Sequence, residues 1–357
     1  MLSEDRFRKL PPRERICTNA TDGNELGLYD REATAVTPEE RIAEALRLAV
    51  TGTPCAAGKG WKLISEEGEY SDSEYITVVA DSDGAMCIHR ETSFDYSVEV
   101  TIEDDEGDKH NAYWWEAAPL KKDFHPGECG AKALARAASQ IGSKGTEGGK
   151  YNMVVDSEVA SRMVSPLLRA LDGYSLQQNN SFLEGSLGKK VFSEGFTLVD
   201  DPFIKGEAGS KLFDSEGVAY VEGPVIEAGV PRKYFINTYM SGKMGLEPTV
   251  EDCGRPRILP WPHEGLDRNA IMRMCGDGIL VTDFNGGNCN SATGDFSYGI
   301  EGFLFRDGAI VRPVSGLVVT GNFIELWNNF IAAGEDGRRC MSKLIPTLAF
   351  GNVNFNG

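Results

Sequence analysis

Gly278-Ile279-Leu280-Val281-Thr282-Asp283-Phe284 leads into Asn285-Gly286-Gly287-Asn288-Cys289-Asn290-Ser291-Ala292-Thr293-Gly294-Asp295-Phe296-Ser297 and on to Gly302-Phe303-Leu304-Phe305-Arg306-Asp307-Gly308-Ala309-Ile310. The first segment reads as a buried strand, opening on the apolar run Ile279-Leu280-Val281. The Asn/Gly segment can adopt positive φ and reads as a loop. Asp307-Gly308 lies between two apolar runs and reads as a hairpin turn.

Upstream of this stretch, short β-type runs alternate with glycines from Leu183 onward, as in Phe196-Thr197-Leu198-Val199, Val218 to Val221 and Val225-Ile226. Helices are expected at Ser157 to Leu171, capped by Asp156 and kinked or split at Pro166, at Asp267 to Met274, and at Phe323 to Ala333. Further toward the N-terminus, Thr37-Pro38-Glu39-Glu40 supplies an N-cap, a first-turn proline and a capping-box glutamate, with Ile42, Ala45, Leu46 and Ala49 on one face. Period-two patterning between Tyr75 and Trp115, broken at Asp81-Ser82-Asp83-Gly84, reads as an antiparallel meander with one wet face. Gly127 to Ile141 reads as a helix with Ala131, Leu134, Ala135 and Ala138 in a stripe. The class is α+β: an N-terminal helix plus an antiparallel meander, followed by a mainly-β C-terminal domain with a few helices. The divisions expected are an irregular leader at 1–36, a central α/β domain at 37–146 and a C-terminal domain at 147–357.

The chain has 357 residues, 41% of them hydrophobic and 9% aromatic, enough for two domains with cores of their own. A formal charge of −18 and the absence of a basic cluster in the linear sequence argue against nucleic acid as a partner. Acidic residues gather at Glu66-Glu67-Gly68-Glu69 and Glu103-Asp104-Asp105-Glu106-Gly107-Asp108, read as solvated loops. Eight cysteines show no Cys-x-x-Cys, which leaves no zinc ribbon or redox pair. There is no signal-peptide-like start and no membrane-length apolar run, so a reduced, cytoplasmic protein is expected.

No catalytic constellation assembles from the residues alone. Gly52-Thr53-Pro54-Cys55-Ala56-Ala57-Gly58-Lys59-Gly60 is one residue too long for a phosphate loop and ends on Gly60 where a Ser or Thr should bind magnesium. None of the four histidines has another at i+4, and His263-Glu264-Gly265-Leu266-Asp267, the nearest approach to a metal motif, reads as a surface loop. Asp200-Asp201-Pro202 and Asp214-Ser215-Glu216-Gly217 pair carboxylates but read first as turns. Cys289 is the most suggestive thiol, although a nucleophilic cysteine needs a base and no histidine is near it in sequence.

The chain does resemble the TldD/PmbA family of peptide-maturation proteases, from about Leu26 to Gly357. The likeness is carried by Ser181-Phe182-Leu183-Glu184-Gly185-Ser186-Leu187-Gly188-Lys189-Lys190-Val191, Leu198-Val199-Asp200-Asp201-Pro202, Phe213-Asp214-Ser215-Glu216-Gly217-Val218, Thr293-Gly294-Asp295-Phe296-Ser297, Arg312-Pro313-Val314, Thr320-Gly321-Asn322 and Pro346-Thr347-Leu348. The resemblance implies that a catalytic TldD-type member carries a His-Glu-x-x-x-His zinc motif on the helix ahead of the Ser-Phe-Leu segment, plus a cysteine ligand near the C-terminus. Counted back from Ser181, the two histidine positions fall near Val164 and Arg169, and Cys340 lacks the Cys-Gly-Lys setting. The likeness is therefore to the TldE/PmbA-type subunit.

That resemblance implies no catalytic or metal-binding residues in this chain, with zinc expected in a TldD-type partner. The partner would be that zinc subunit or a second copy of this chain, and the substrate an extended peptide. Asn285, Gly286, Gly287, Asn288, Cys289, Asn290 and Asp295 are the expected groove lining. Family members are linked to maturation of an antibiotic peptide, antitoxin degradation and modulation of DNA gyrase. A stand-alone peptide-binding or regulatory homodimer is the alternative reading, and a peptidase built on Cys289 with a distant histidine a third. The family also carries a further N-terminal α/β segment, so a lost segment, a separate gene or a misassigned start are the readings of Met1.

Overall fold

The computed structural model describes residues 5–31, 36–49, 57–58 and 60–357; most of the Gly52 to Gly60 stretch lies outside them. The Gly278-to-Phe284 run becomes the first half of a strand, Gly278–Cys289, in a sheet whose order is Ala309–Asn322, Asp295–Arg306, Gly278–Cys289, Gly149–Val155, Leu348–Asn356, Phe330–Ala333. Val318↔Asn356 and Thr320↔Asn354 pair the first of these strands with Leu348–Asn356, so five strands form a closed hydrogen-bonded ring. Gly278–Val281 pairs in parallel with Asn152–Val155, and every other neighbour is antiparallel.

Both faces of the central strands are covered, which explains the unbroken apolar run. Met153, Val155, Ile279 and Val281 join a large core with Met163, Val164 and Leu167 of the Ser161–Ala170 helix and with Trp327, which stacks on Phe196 at 3.8 Å. Val154 and Leu280 face the other way, onto Leu266, Ile271 and Met272 beside the Arg268–Cys275 helix. Asp267 caps that helix by accepting from Ala270 N. Asp307 (φ 49°) and Gly308 (φ 73°) are both left-handed, as a two-residue hairpin turn requires. Gly302 stands where a Cβ would come 1.8 Å from Leu280 O, so the strand contact admits no side chain.

The meander forms a separate sheet of long strands, Trp61–Ala80, Met86–Asp104 and Lys109–Ala118, backed by the Cys129–Ser139 helix. Glu66 to Glu69 lie within the first strand rather than in a loop, whereas Glu103 to Asp108 do make the turn, with Asp104 Oδ1 accepting from Glu106 N and Asp108 N. The described residues among 1–36 contain one short 3-10 turn, Arg13–Arg15, and are packed against the rest of the chain. Ile16, Cys17, Leu26 and Leu28 are buried with Cys87, Leu212 and Phe213, and Ile88, Arg90 and Thr92 donate backbone hydrogen bonds to Ala20, Gly23 and Leu28.

Several expected elements shift. The helix at Pro38–Leu48 has its capping box, but Ile42 and Leu46 are 61% and 71% exposed. Periodicity marks an apolar face without naming its cover, and here the helix is held by Arg41 on Asp72 and by buried Leu48. In the alanine-rich helix Cys129–Ser139 the buried face is Gly130, Ala133, Leu134 and Ala137, while Ala131 and Ala135 are exposed, because small residues on every side leave the phase undetermined. The helix containing Pro166 begins at Ser161 rather than Ser157 and runs unbroken to Ala170. The expected Phe323–Ala333 helix ends at Asn328, and Phe330–Ala333 is instead a strand paired with Leu348 to Phe350. Sheet pairing there overrides local helical preference.

Asp200 and Asp201 are not turn residues. Asp200 ends a short strand, is fully buried, and accepts from Gly254 N and Arg255 N, while Asp201 pairs with Arg257 at 3.0 Å. Asp214 does close the expected turn, accepting from Glu216 N, Val218 N and Glu251 N. Burial pushes its pKa up to about 6 despite those donors.

Two consequences are measurable. Gly302→Ala should cost about 3 kcal/mol or more in denaturant unfolding, while Gly145→Ala, with open space around its Cβ, should cost little. Asp214 binds its proton more tightly folded than unfolded, so its contribution to stability is full below about pH 4 and is lost as pH rises through about 6. Asp214→Asn should remove that part of the pH slope in unfolding curves.

Candidate functional site

A cleft of about 550 Å³ opens between the meander and the ring. Tyr113, Trp114 and Arg136 line one side, and Asp156, Glu158 and Arg268 the other. Its base is made by the ring strands, with Leu280, Thr282 and Glu301 among the lining residues. Asp156 is placed there by the strand–helix junction: its N donates to Val281 O, its Oδ1 accepts from Glu158 N and its Oδ2 receives Arg268 at 2.6 Å.

Arg338 ties the two walls together. It pairs with Glu158 at 2.6 Å and Glu116 at 3.1 Å, donates to Trp115 O, and lies 4.7 Å from the ring centres of both Trp114 and Trp115. Burial raises the Glu158 pKa, and the Arg338 charge opposes that rise. Arg136, stacked over Trp114, donates to Thr282 O at 3.0 Å as a second tie.

None of the expected groove-lining residues is among those that line the cleft; Asn285 touches it only through Glu301, to whose Oε1 its Nδ2 donates at 2.8 Å. Gly286 and Gly287 form a left-handed bulge in the strand, with φ of 72° and 91°, so Asn285 to Cys289 are strand rather than loop. Gly287 would place a Cβ 2.1 Å from Ser297 O, which is why glycine stands there. Asn288 is exposed. Asn290 and Asp295 close the turn that follows: Asn290 N donates to Asp295 O, and Asp295 accepts from Asn322 and Thr293, which hold its carboxyl below the ordinary value.

Cys289 packs partly against the core. Burial raises its pKa, Asp295 adds to the rise and Arg169 opposes it, with no imidazole among the groups acting on it. His89 and His110 are engaged by Glu91 and Asp104, and His263 is exposed in a loop with its Nδ1 2.8 Å from Glu264 O. Among the described residues, no three His, Cys, Asp or Glu side chains are grouped to hold a metal ion. On the Ser161–Ala170 helix, Val164 is fully buried and Arg169 is exposed, and neither offers a zinc donor.

Arg338 has no local signal in the sequence, because its partners Glu116, Glu158, Trp114 and Trp115 come from distant segments.

Two family models match, described as the PmbA/TldA metallopeptidase central domain over residues 31–141 and the PmbA/TldA metallopeptidase C-terminal domain over residues 148–357. The chain belongs to the PmbA/TldD family. A Bacteroides thetaiotaomicron crystal structure, named as that of a candidate modulator of DNA gyrase, is 36% identical and matches with a TM-score of 0.91 over 100% of this chain and 79% of its own. The Metalloprotease PmbA of Escherichia coli O157:H7 is 27% identical over 338 residues, 92% of this chain and 73% of its own length. TldE from Thermococcus kodakarensis shares the fold, with a TM-score of 0.79 at 19% identity over 100% of this chain and 81% of that one. Among the described residues, no helix is long and apolar enough to cross a membrane.

Arg338→Ala should destabilise the protein by about 2 kcal/mol, because it leaves half-buried Glu158 without its closest counter-charge. Arg338→Lys should fall between it and the unaltered protein, having lost the stacked, forked geometry. Urea midpoints together with tryptophan emission, which should shift to the red as Trp114 and Trp115 are uncovered, test both.

Proposed function

We infer that this PmbA/TldD-family chain is the non-catalytic subunit of a zinc-dependent peptidase complex acting on unfolded or extended peptides. The observation that carries the reading is the Ser161–Ala170 helix. At the positions where the family resemblance places two zinc-binding imidazoles it has Val164, turned into the core, and Arg169, a cation. In this reading a TldD-type partner holds the metal, which would supply an activated water for peptide hydrolysis.

This chain's share is to bind and orient. The cleft between the meander and the ring, Asn285 beside it and the bulge at Gly286-Gly287 would line a groove that admits an extended chain more readily than a folded one. The aromatic wall at Tyr113 and Trp114 would take apolar side chains, and Arg338 would keep the two walls at fixed separation. The reading places the protein in the cytoplasm, where thiols such as Cys87, which hydrogen bonds to Cys17 O at 3.2 Å, stay reduced.

The test is zinc content and cleavage of an unstructured peptide, for this chain alone and after co-expression with a TldD-type relative. Zinc and cleavage are expected in the co-expressed sample and neither in the single chain. Stoichiometric zinc in the single chain would overturn the reading, and an absence of both in the mixture would favour a stand-alone peptide-binding homodimer.

A further inference from the structure

The outer face of the Ser161–Ala170 helix is cationic. Arg162, Ser165 and Arg169 are spaced i, i+3, i+7 and so share one side of the helix. The helix contains no acidic residue. Lys343 arrives from the loop ahead of the last strand and donates at 3.2 Å to Oγ of Ser165, the residue that lies between the two arginines along the helix. None of the three cations makes an ion pair among the described residues, although carboxylates outnumber basic side chains across the chain, 54 to 36. The nearest acid along the helix approach, Glu158, is already engaged by Arg338 at 2.6 Å.

Arg162 is also held in place. Its guanidinium lies 4.6 Å from the Tyr298 ring centre and its NH2 is 3.5 Å from Gly287 O on the bulge. A stacked guanidinium keeps in-plane N–H groups free for a forked contact with a carboxylate. Arg162 and Arg169 stand roughly 10 Å apart along the axis at 1.5 Å per residue. In an extended chain, side chains two or four residues apart share a face and lie roughly 7 or 13 Å apart, a range that flexible arginine side chains can span.

We propose that Arg162, Ser165, Arg169 and Lys343 form a subsite for acidic extended peptide, holding carboxylates that recur on one face of the bound segment. The proposal deepens the reading above and rests on it, since it presumes that this chain binds extended peptide at all. The site would select substrates by charge, and the overall negative charge of the protein would repel acidic chains from most of the surface outside the patch.

The experiment uses the full chain and a short fluorescein-labelled peptide with glutamate at every second position, alongside the same peptide with glutamine in those places. Fluorescence anisotropy should show the glutamate peptide binding about tenfold more tightly at low salt, with the difference shrinking as salt screens the charges. Arg162→Gln combined with Arg169→Gln should make the two peptides bind alike. Arg162→Lys with Arg169→Lys should keep part of the preference, and Arg47→Gln, on the distant Pro38–Leu48 helix, all of it. Circular dichroism should find every variant folded. Equal binding of both peptides by the unaltered protein would overturn the proposal and leave the peptide-binding reading standing. No binding of either would overturn both, and displacement of the glutamate peptide by an equal concentration of oligothymidylate would overturn the assignment to peptide.

Discussion

Parallel pairing of Asn152–Val155 with Gly278–Val281 joins two strands widely separated in sequence, and the site is suspended from that junction. The pairing leaves Val281 O to accept Asp156 N, which turns the chain from strand toward the Ser161–Ala170 helix. Asp156 then holds Arg268, fixing the second helix on the opposite face of the sheet. With neighbours on both sides and both faces covered, the junction buries Met153 to Val155 against Ile279 to Val281, and its one polar side chain, Asn152, is satisfied at the edge by donating to Cys275 O and Asp277 O. The Thr282 base of the cleft, the bulge at Gly286 and Gly287 and the helix carrying Arg162 and Arg169 all take their positions from it.

How much of this was legible follows from the range of each signal. Local signals were sound: the Thr37-Pro38-Glu40 cap, the Asp307-Gly308 hairpin and the Asp267-capped helix all lie where the residues place them. Patterns that depend on a distant partner were not. Asn285 to Cys289 look like a loop because asparagine and glycine disfavour strands, yet pairing with Ser297 to Gly299 and Phe296 carries them as a bulged strand. Phe330–Ala333 follows a capped helical turn in sequence but is captured by the last strand. Asp200 and Asp201 sit among turn formers, and only the fold reveals that the backbone of Gly254 and Arg255 and the side chain of Arg257 surround them.

The candidate site was legible in outline only. The resemblance to TldD/PmbA proteins pointed to the helix ahead of Ser181 as the place where chemistry is decided, and the matching domain models agree on the family. The wall supplied by the meander could not be read, because it depends on Arg338 reaching across from the loop before the final strand to Glu116, Glu158 and two tryptophans. Such a cross-domain tie has no local pattern; it is a single arginine in a sequence that holds many charged residues.

The ring also sets the order of events on the ribosome. Gly149–Val155 emerges early, but one of its two neighbours begins at Gly278 and the other at Leu348. Until those arrive, Met153, Val154 and Val155 have no lattice to enter, and closure against Val318 to Thr320 waits for residues 354–356. The nascent chain must therefore carry an uncovered apolar strand through most of the synthesis of its own domain, a situation that favours slow, late folding and recruitment of a holding chaperone. The meander, whose strands follow one another directly, is free of that delay.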